Sequence, residues 1–204
     1  MRAAQQIRGF ASGDLEALYA ISLATGHAGR DAAHLYADPK MMGHIYAAPY
    51  AVLSPSSVLV AEDRGAVVGY AAGRLDTHAW EAQLARDWWP SLRAQYPDPG
   101  DVLPQAMTHD QRRAAMIHRP KRTPPSVATR FPAHLHLNLM PVAQGQGLGR
   151  RLFEAWRTAQ NAGPVHVAVN NANENARHFW TKLGFAELAG ADIPDGRTIW
   201  LGRA

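Results

Sequence analysis

The chain has 204 residues, 47% hydrophobic and 19% charged, with a formal net charge of +4 and no cysteine. That composition suits a globular protein with a single core. It offers no apolar run near the roughly 18 residues of a membrane span, and neither a disulfide framework nor a thiol nucleophile. The basic residues are spread out except near Arg112–Arg130 and follow no nucleic-acid-binding motif, so the charge is read as suiting a small anionic ligand. Met1-Arg-Ala-Ala-Gln-Gln lacks the apolar core of a signal peptide, and a cytoplasmic location is expected.

Gln5–Phe10 reads as a first strand. Ser12 is placed to cap a helix over Gly13–Thr25, with Leu15, Leu18, Tyr19 and Ser22 at helical spacing. Gly26–Arg30 breaks it, and Asp38-Pro39 starts a second short helix to Ala48. Ser57–Glu62 and Ala66–Leu75 read as a hairpin around Asp63-Arg-Gly65. His78–Gln95 is helical until Pro90 perturbs it. Tyr96–Phe131 is rich in proline, has one weak helical stretch at Thr108–His118, and reads as an insertion over one side of the fold.

An alternating strand, His134–Leu139, then runs into Gln144-Gly-Gln-Gly-Leu-Gly149 and a helix-competent segment, Arg150–Asn161. Three glycines between a strand and a helix N-terminus allow close backbone approach, and the free N–H groups of the first helical turn suit a phosphate or pyrophosphate. The loop is not a Walker A motif, because it ends Leu-Gly-Arg-Arg rather than Gly-Lys-Ser/Thr. Nor does its glycine spacing match a Rossmann fingerprint. Val165–Val169 is a short apolar strand. Asn173-Glu-Asn-Ala176 opens a helix carrying Phe179, Trp180 and Leu183, and Gly184 ends it. A strand near Phe185–Leu188, a turn at Pro194-Asp-Gly196 and a last strand Thr198–Leu201 complete the chain. This order gives an α/β fold with a mixed sheet.

Gln144-x-x-Gly147-x-Gly149, with Val169-Asn-Asn-Ala-Asn-Glu-Asn-Ala-Arg-His-Phe-Trp-Thr-Lys-Leu-Gly-Phe185 following it, resembles the acyl-coenzyme A-binding half of the GNAT superfamily of N-acetyltransferases. Segments including Leu35-Tyr-Ala-Asp-Pro39, Gly43-His-Ile-Tyr-Ala-Ala-Pro-Tyr50, Trp88-Trp-Pro-Ser-Leu-Arg93 and Pro132-Ala-His-Leu-His136 look like the bacterial relatives of the acetyltransferase-like C-terminal domain of O-GlcNAcase. The resemblance implies one GNAT domain over residues 1–204, with splayed central strands and the insertion at 96–131. It implies acetyl-CoA as cofactor and an acetyltransferase acting on a small amine or a protein lysine by direct attack in a ternary complex. A monomer or homodimer is expected, with no nucleic-acid or membrane partner. A coenzyme A-binding module without turnover is the alternative.

By that resemblance, the loop amides of Gln144, Gly145, Gln146, Gly147, Leu148 and Gly149 hold the pyrophosphate, with Arg150 or Arg151 adding charge. Backbone groups of Leu137, Leu139 and Met140 pair with the pantetheine arm. Asn173 and Phe179 contact the cofactor, although Asn173 also reads as a helix N-cap. The family usually has tyrosine at Trp180, whose indole N–H can only donate a hydrogen bond to the thiolate. His134, His136 and Asn138 share one face of their strand by period 2, opposite Leu135, Leu137 and Leu139, and that polar face is expected to point at the cleft. His136 is the first choice as general base, with His134 second, because an ordinary imidazole titrates near neutral pH. Asn138 stands where relatives often have aspartate. Tyr36, Asp38, Tyr46 and Tyr50 fall in the family's acceptor-gating segments; Asp76, Trp88 and Trp89 carry a weaker form of that signal. His134-x-His136 lacks a third ligand at a telling spacing, so no metal is expected.

Overall fold

The computed structural model describes residues 5–190, 192–193 and 196–204. Its frame is a seven-stranded sheet in the order β1-β2-β3-β4-β5-β7-β6. The strands are β1 (Gln6–Gly9), β2 (Val58–Asp63), β3 (Ala66–Arg74), β4 (Ala133–Leu139), β5 (Val165–Asn170), β6 (Ala186–Glu187) and β7 (Thr198–Arg203). All neighbours pair antiparallel except β4 and β5, which are parallel. The α/β architecture with a mixed sheet is the one expected. Pro194 and Asp195, part of the expected turn, lie outside the described residues.

The helices are α1 (Leu15–Ala24), α2 (Met41–Tyr46), α3 (Ala48–Leu53), α4 (Thr77–Asp87), α5 (Trp89–Gln95), α6 (His109–His118), α7 (Pro125–Arg130), α8 (Leu148–Ala159) and α9 (Glu174–Lys182). Four local readings are corrected. Ser12 does not cap α1: it lies in a 3₁₀ turn, where the Asp14 carboxylate accepts from Ala11 N–H at 2.8 Å. The second helix is two helices, split at Ala47, and the second carries Pro49 in its first turn, where a missing N–H costs nothing. The break in His78–Gln95 falls at Trp88, so Pro90 lies in the first turn of α5. The insertion is more ordered than its proline content suggests. Thr108 and Gln111 close a reciprocal capping box that starts α6, and α7 follows.

Alternation along the strands feeds two cores, one on each face of the sheet. Val58, Val60, Tyr70 and Ala72 pack under α1–α6. Ala61, Ala71, Leu135, Val165, Val167 and Val169 pack under α8 and α9. Leu148, Leu152, Phe153 and Trp156 of α8 follow helical spacing and are fully buried, each stabilising the fold by roughly 1.5–3 kcal/mol. The polar face of β4 is therefore roofed by the helical layer. That corrects the expectation of a face wholly open to the cleft: His134 is buried, while His136 and Asn138 stay half-buried.

No helix among the described residues is long and apolar enough to cross a membrane.

Candidate active site

The strand pair β4–β5 holds only two partner positions, Ala133 with Val165 and His134 with His166. Beyond them the strands diverge. Met140 N–H donates to Val68 C=O at 2.8 Å. Antiparallel alternation then turns the backbone of His134, His136 and Asn138 toward β3, and that of Leu137 and Leu139 toward the gap left by β5. Leu137 and Leu139 thus offer edge groups to a ligand in the splay. The N–H of Met140 is used by β3, which removes that donor from the expected set. The Leu139 carbonyl is taken by Gln144 Nε2 at 3.0 Å.

At the end of β4 the loop turns through Gly145 (φ 74°) and Gly147 (φ 76°), left-handed conformations that favour glycine. No neighbour lies within 4 Å of where a Cβ on either would stand. From Gly145 through Arg150 no backbone N–H has an acceptor among the described residues; the helical ladder first closes with Arg151 N–H on Gly147 C=O. Fixed donors aimed into open space, at the positive end of a twelve-residue helix, are the chemistry of an anion site. The side chains near this loop do other work. Gln146 bridges Val142 C=O and Gln5. Arg150 donates to Lys182 C=O at 3.2 Å, at the end of α9, so its charge is tied away from where it was expected. Phe179 lies against Gly149.

Asn173 caps α9, its Oδ1 accepting from Ala176 N–H at 3.0 Å. A Cβ on Gly29 would stand 3.1 Å from the Asn173 amide. Asn138 Nδ2 meanwhile donates to Thr25 Oγ1 at the end of α1. The turn after α1 therefore reaches from the end of β4 to the start of α9. Its part was not legible in Gly26–Arg30, which carries no motif.

Trp180 is 5% exposed and packs edge-on against Phe153, Phe179 and Phe185. Its indole N–H has no acceptor among the described residues and is not sealed from solvent.

The two histidines of β4 differ sharply. Thr77 Oγ1 donates its one proton to Pro132 C=O, so it accepts from His134 Nδ1–H at 2.8 Å. That leaves Nε2 to accept from the Tyr50 hydroxyl at 2.8 Å. His134 is thus a neutral imidazole with both nitrogens engaged, and burial, followed by the nearness of the His166 and His136 imidazoles, holds its pKa well below the ordinary value. It has no lone pair free for a base. His136 has no hydrogen-bond partner among the described residues, and its nitrogens are not sealed. It stands edge-on to the rings of Tyr46 (5.4 Å) and Tyr50 (5.7 Å). Burial, then the nearby His166, lowers its pKa to about 4. The near-neutral basicity expected of it is therefore absent: His136 is an open, uncharged acceptor of low proton affinity.

The acceptor-side candidates divide in the same way. Tyr50 is buried under Trp80 and spent on His134. Asp38 accepts from Tyr96 Oη at 2.5 Å and from Lys40 N–H. These contacts, with other groups, hold its pKa down against the opposing effect of burial. Asp76 caps α4, Trp88 donates to His44 C=O, and Trp89 is buried. Tyr36 and Tyr46 instead converge on Arg113 of α6, a residue no motif singled out. A hollow of about 430 Å³ beside β6 and β7, lined by residues such as Asn171, Arg177 and Glu187, includes none of the residues above.

This splayed pair, followed by an amide-lined loop, matches known proteins. Residues 101–196 fit the model of the acetyltransferase (GNAT) domain. The structure of SsHAT is 35% identical, with a TM-score of 0.87 and 98% of each chain covered. The chain belongs to the GNAT acetyltransferase family. It is an acyltransferase by that membership. More distant GNAT structures share the fold alone. That of yncA from Salmonella typhimurium, solved with its cofactor acetyl-CoA, is 17% identical with a TM-score of 0.53, covering 98% of this chain and 94% of that one. Diaminobutyrate acetyltransferase EctA from Paenibacillus lautus, in complex with L-2,4-diaminobutyric acid and coenzyme A, is 10% identical with a TM-score of 0.53, covering 98% and 93%.

Proposed function

We propose that this GNAT protein is an N-acetyltransferase that uses acetyl-CoA to acetylate a primary amine, a small amine or a protein lysine, by direct attack in a ternary complex. The observation that carries the reading is the run of unpartnered N–H groups from Gly145 to Arg150 beside the β4–β5 splay. These residues fit an acyl-coenzyme A. The open space over Gly145 and Gly147 admits a pyrophosphate, and the edge groups of Leu137 with the Leu139 N–H match the amides of a pantetheine arm. Acetyl-CoA supplies the activated acyl thioester.

The chain's own groups do the rest. Leu139 N–H is a donor for a thioester carbonyl. His136 accepts a hydrogen bond from the attacking amine and takes its proton as the new bond forms, when that nitrogen becomes strongly acidic. With a pKa of about 4 it does not deprotonate a free ammonium, so the amine arrives neutral. The Trp180 indole donates a hydrogen bond toward the departing sulfur and supplies no proton.

We take residues 1–204 as one domain with 96–131 as its insertion, working in the cytoplasm. The kinship with bacterial relatives of the acetyltransferase-like domain of O-GlcNAcase belongs to this proposal and rests on the sequence segments given above. Trp180 and Asn138 favour a second reading, a coenzyme A-binding module without turnover.

The test is calorimetry with acetyl-CoA, together with thiol release across a panel of amines. Gly147→Asp places a carboxylate in the open space of the loop. Aspartate tolerates a left-handed conformation better than most residues, so the fold should survive while acetyl-CoA affinity falls at least 100-fold. Unchanged affinity in a folded variant would sink the site. Tight binding with no thiol release would favour the module.

A further inference from the structure

Arg113 is a half-buried cation with no ion-pair partner among the described residues. It rises from α6 and spends Nε on Tyr36 Oη at 3.0 Å and Nη1 on Tyr46 Oη at 2.8 Å and Met116 Sδ at 3.1 Å. Its Cζ lies 5.6 Å from the centre of the Tyr46 ring. Every one of these partners is neutral. No carboxylate among the described residues comes within 4.0 Å of it, and the nearby Asp110 is committed to Ala37 N–H. Nη2 has no partner among the described residues. After burial, it is Arg112, His27, Arg113 and His34 that lower the pKa of His109, whose ring stands 6.2 Å from that of Tyr36.

A half-buried guanidinium with no acidic partner, whose pKa Tyr46 and Tyr36 raise against the effect of burial, keeps its charge and has Nη2 left over for an anion. The location says whose anion. The Tyr46 ring is near both Arg113 and His136, at 5.6 Å from the guanidinium carbon and 5.4 Å from the imidazole centre, so these two groups lie no more than about 11 Å apart. Both residues are half-buried, and neither Arg113 Nη2 nor the His136 nitrogens are sealed.

We infer that the acceptor is a zwitterion: a small amine bearing a carboxylate, held by Arg113 through that carboxylate with its amine at His136. The inference rests on the proposed acetyl transfer and narrows it, because a site with an unpaired arginine beside the attacked carbonyl repels a polycationic lysine-rich peptide. Tyr36 and Tyr46 act as positioning residues for the guanidinium.

Two measurements separate this inference from the reading beneath it. The first is ligand-observed NMR binding of 6-aminohexanoate and of its uncharged carboxamide, without acetyl-CoA. Wild type should bind the carboxylate about 10- to 100-fold more tightly, the range of a charge-assisted hydrogen bond from Nη2. Arg113→Met should erase the preference, Arg113→Lys should keep part of it, and Tyr36→Phe should weaken it while the cation stays. Since Tyr36→Phe removes only a hydroxyl, it keeps the test valid if Arg113→Met unfolds. The second is kcat/KM for the same pair of amines, in which Arg113→Met should lose the carboxylate preference through KM with acetyl-CoA affinity unchanged. Equal binding of the two amines by wild type, or a preference that survives in a folded Arg113→Met, would overturn the inference. Carboxylate-dependent binding with no thiol release from any amine would uphold it and overturn the acetyl-transfer reading instead.

Discussion

The Tyr50 hydroxyl donates to His134 Nε2 at 2.8 Å, and that one bond divides the labour of two histidines only two residues apart on β4. His134 becomes a post in the core, locked also by Thr77, and His136 is left as the imidazole with an open lone pair.

The division predicts opposite outcomes for two alanine variants. His136→Ala should fold normally and lose about 10²-fold in kcat, the low end for a proton acceptor, because a base of pKa about 4 is far from the operating pH. His134→Ala should lose stability instead, since Tyr50 Oη and Thr77 Oγ1 each lose a buried partner at about 1–3 kcal/mol. In wild type kcat/KM should climb with pH to the amine's own pKa, with no limb near 6.5. Denaturant melts and pH–rate profiles check all three points. A limb near 6.5 that vanishes in His136→Ala would show that His136 titrates normally and acts as a conventional base.

The contact of Gly29 with Asn173 is the second prediction. Gly29 has φ 84°, and a Cβ there would press on the Asn173 amide at 3.1 Å. Gly29→Ala combines left-handed strain with that crowding, so it should destabilise the protein by about 1–2 kcal/mol. It should also loosen the turn that reaches from α1 to the start of α9, weakening acetyl-CoA binding. Gly163, whose φ is not positive and whose Cβ position is open, provides the control: Gly163→Ala should be nearly neutral. Equal melting midpoints for the two variants would refute the role of the contact.

How much of this could be read beforehand follows from where each signal is local. The strand–glycine loop–helix unit from His134 to Asn161 is encoded by neighbours in sequence, so its type and place were legible, and Asn173 was visible as an N-cap. The faces of β4 were legible by alternation too. What covers the polar face was not, because Thr25, Tyr50 and Thr77 reach His134 and Asn138 from 57 to 113 residues away. The free basicity of His136 was misjudged for the same reason, since desolvation comes from the tertiary roof and leaves no mark in the strand itself. Arg113 sat in Thr108–His118, which was read as weakly helical, but no motif singled it out, because its phenol partners Tyr36 and Tyr46 lie 77 and 67 residues away.

Trp180 supplies the third prediction. Its ring is gripped by Phe153, Phe179 and Phe185. Trp180→Phe should leave a cavity and cost about 1–3 kcal/mol with a modest rate loss. Trp180→Tyr should keep or raise turnover, because a phenol can donate a proton where an indole cannot. Single-turnover kinetics with stability measured alongside would test this. A Trp180→Tyr enzyme that is folded but much slower would give the indole N–H a specific role in holding the sulfur.

The last prediction concerns acid stability. His134, His136 and His166 are neutral in the fold, with pKa values pushed below the ordinary 6.5 chiefly by burial, to about 4 for His136 and His166. In the unfolded chain they take up protons near 6.5. Between about pH 6.5 and 4 the unfolded state therefore binds more protons, and stability must rise with pH. The contribution is complete above 6.5 and is lost as pH falls toward the folded pKa values, by up to about 1.4 kcal/mol per pH unit for each histidine. The carboxylates with lowered pKa, Asp14, Asp38, Asp98 and Asp192, act the same way but below this window, since their ordinary value is already 3.8. Melting temperature should thus fall steeply from pH 6.5 to 5. His166→Gln should make that fall shallower, because glutamine can still donate to Phe131 C=O, as His166 Nδ1 does at 2.6 Å, and carries no titrating group. A wild-type melting temperature that stays flat between pH 6.5 and 5 would mean that these imidazoles protonate within the fold at their ordinary pKa.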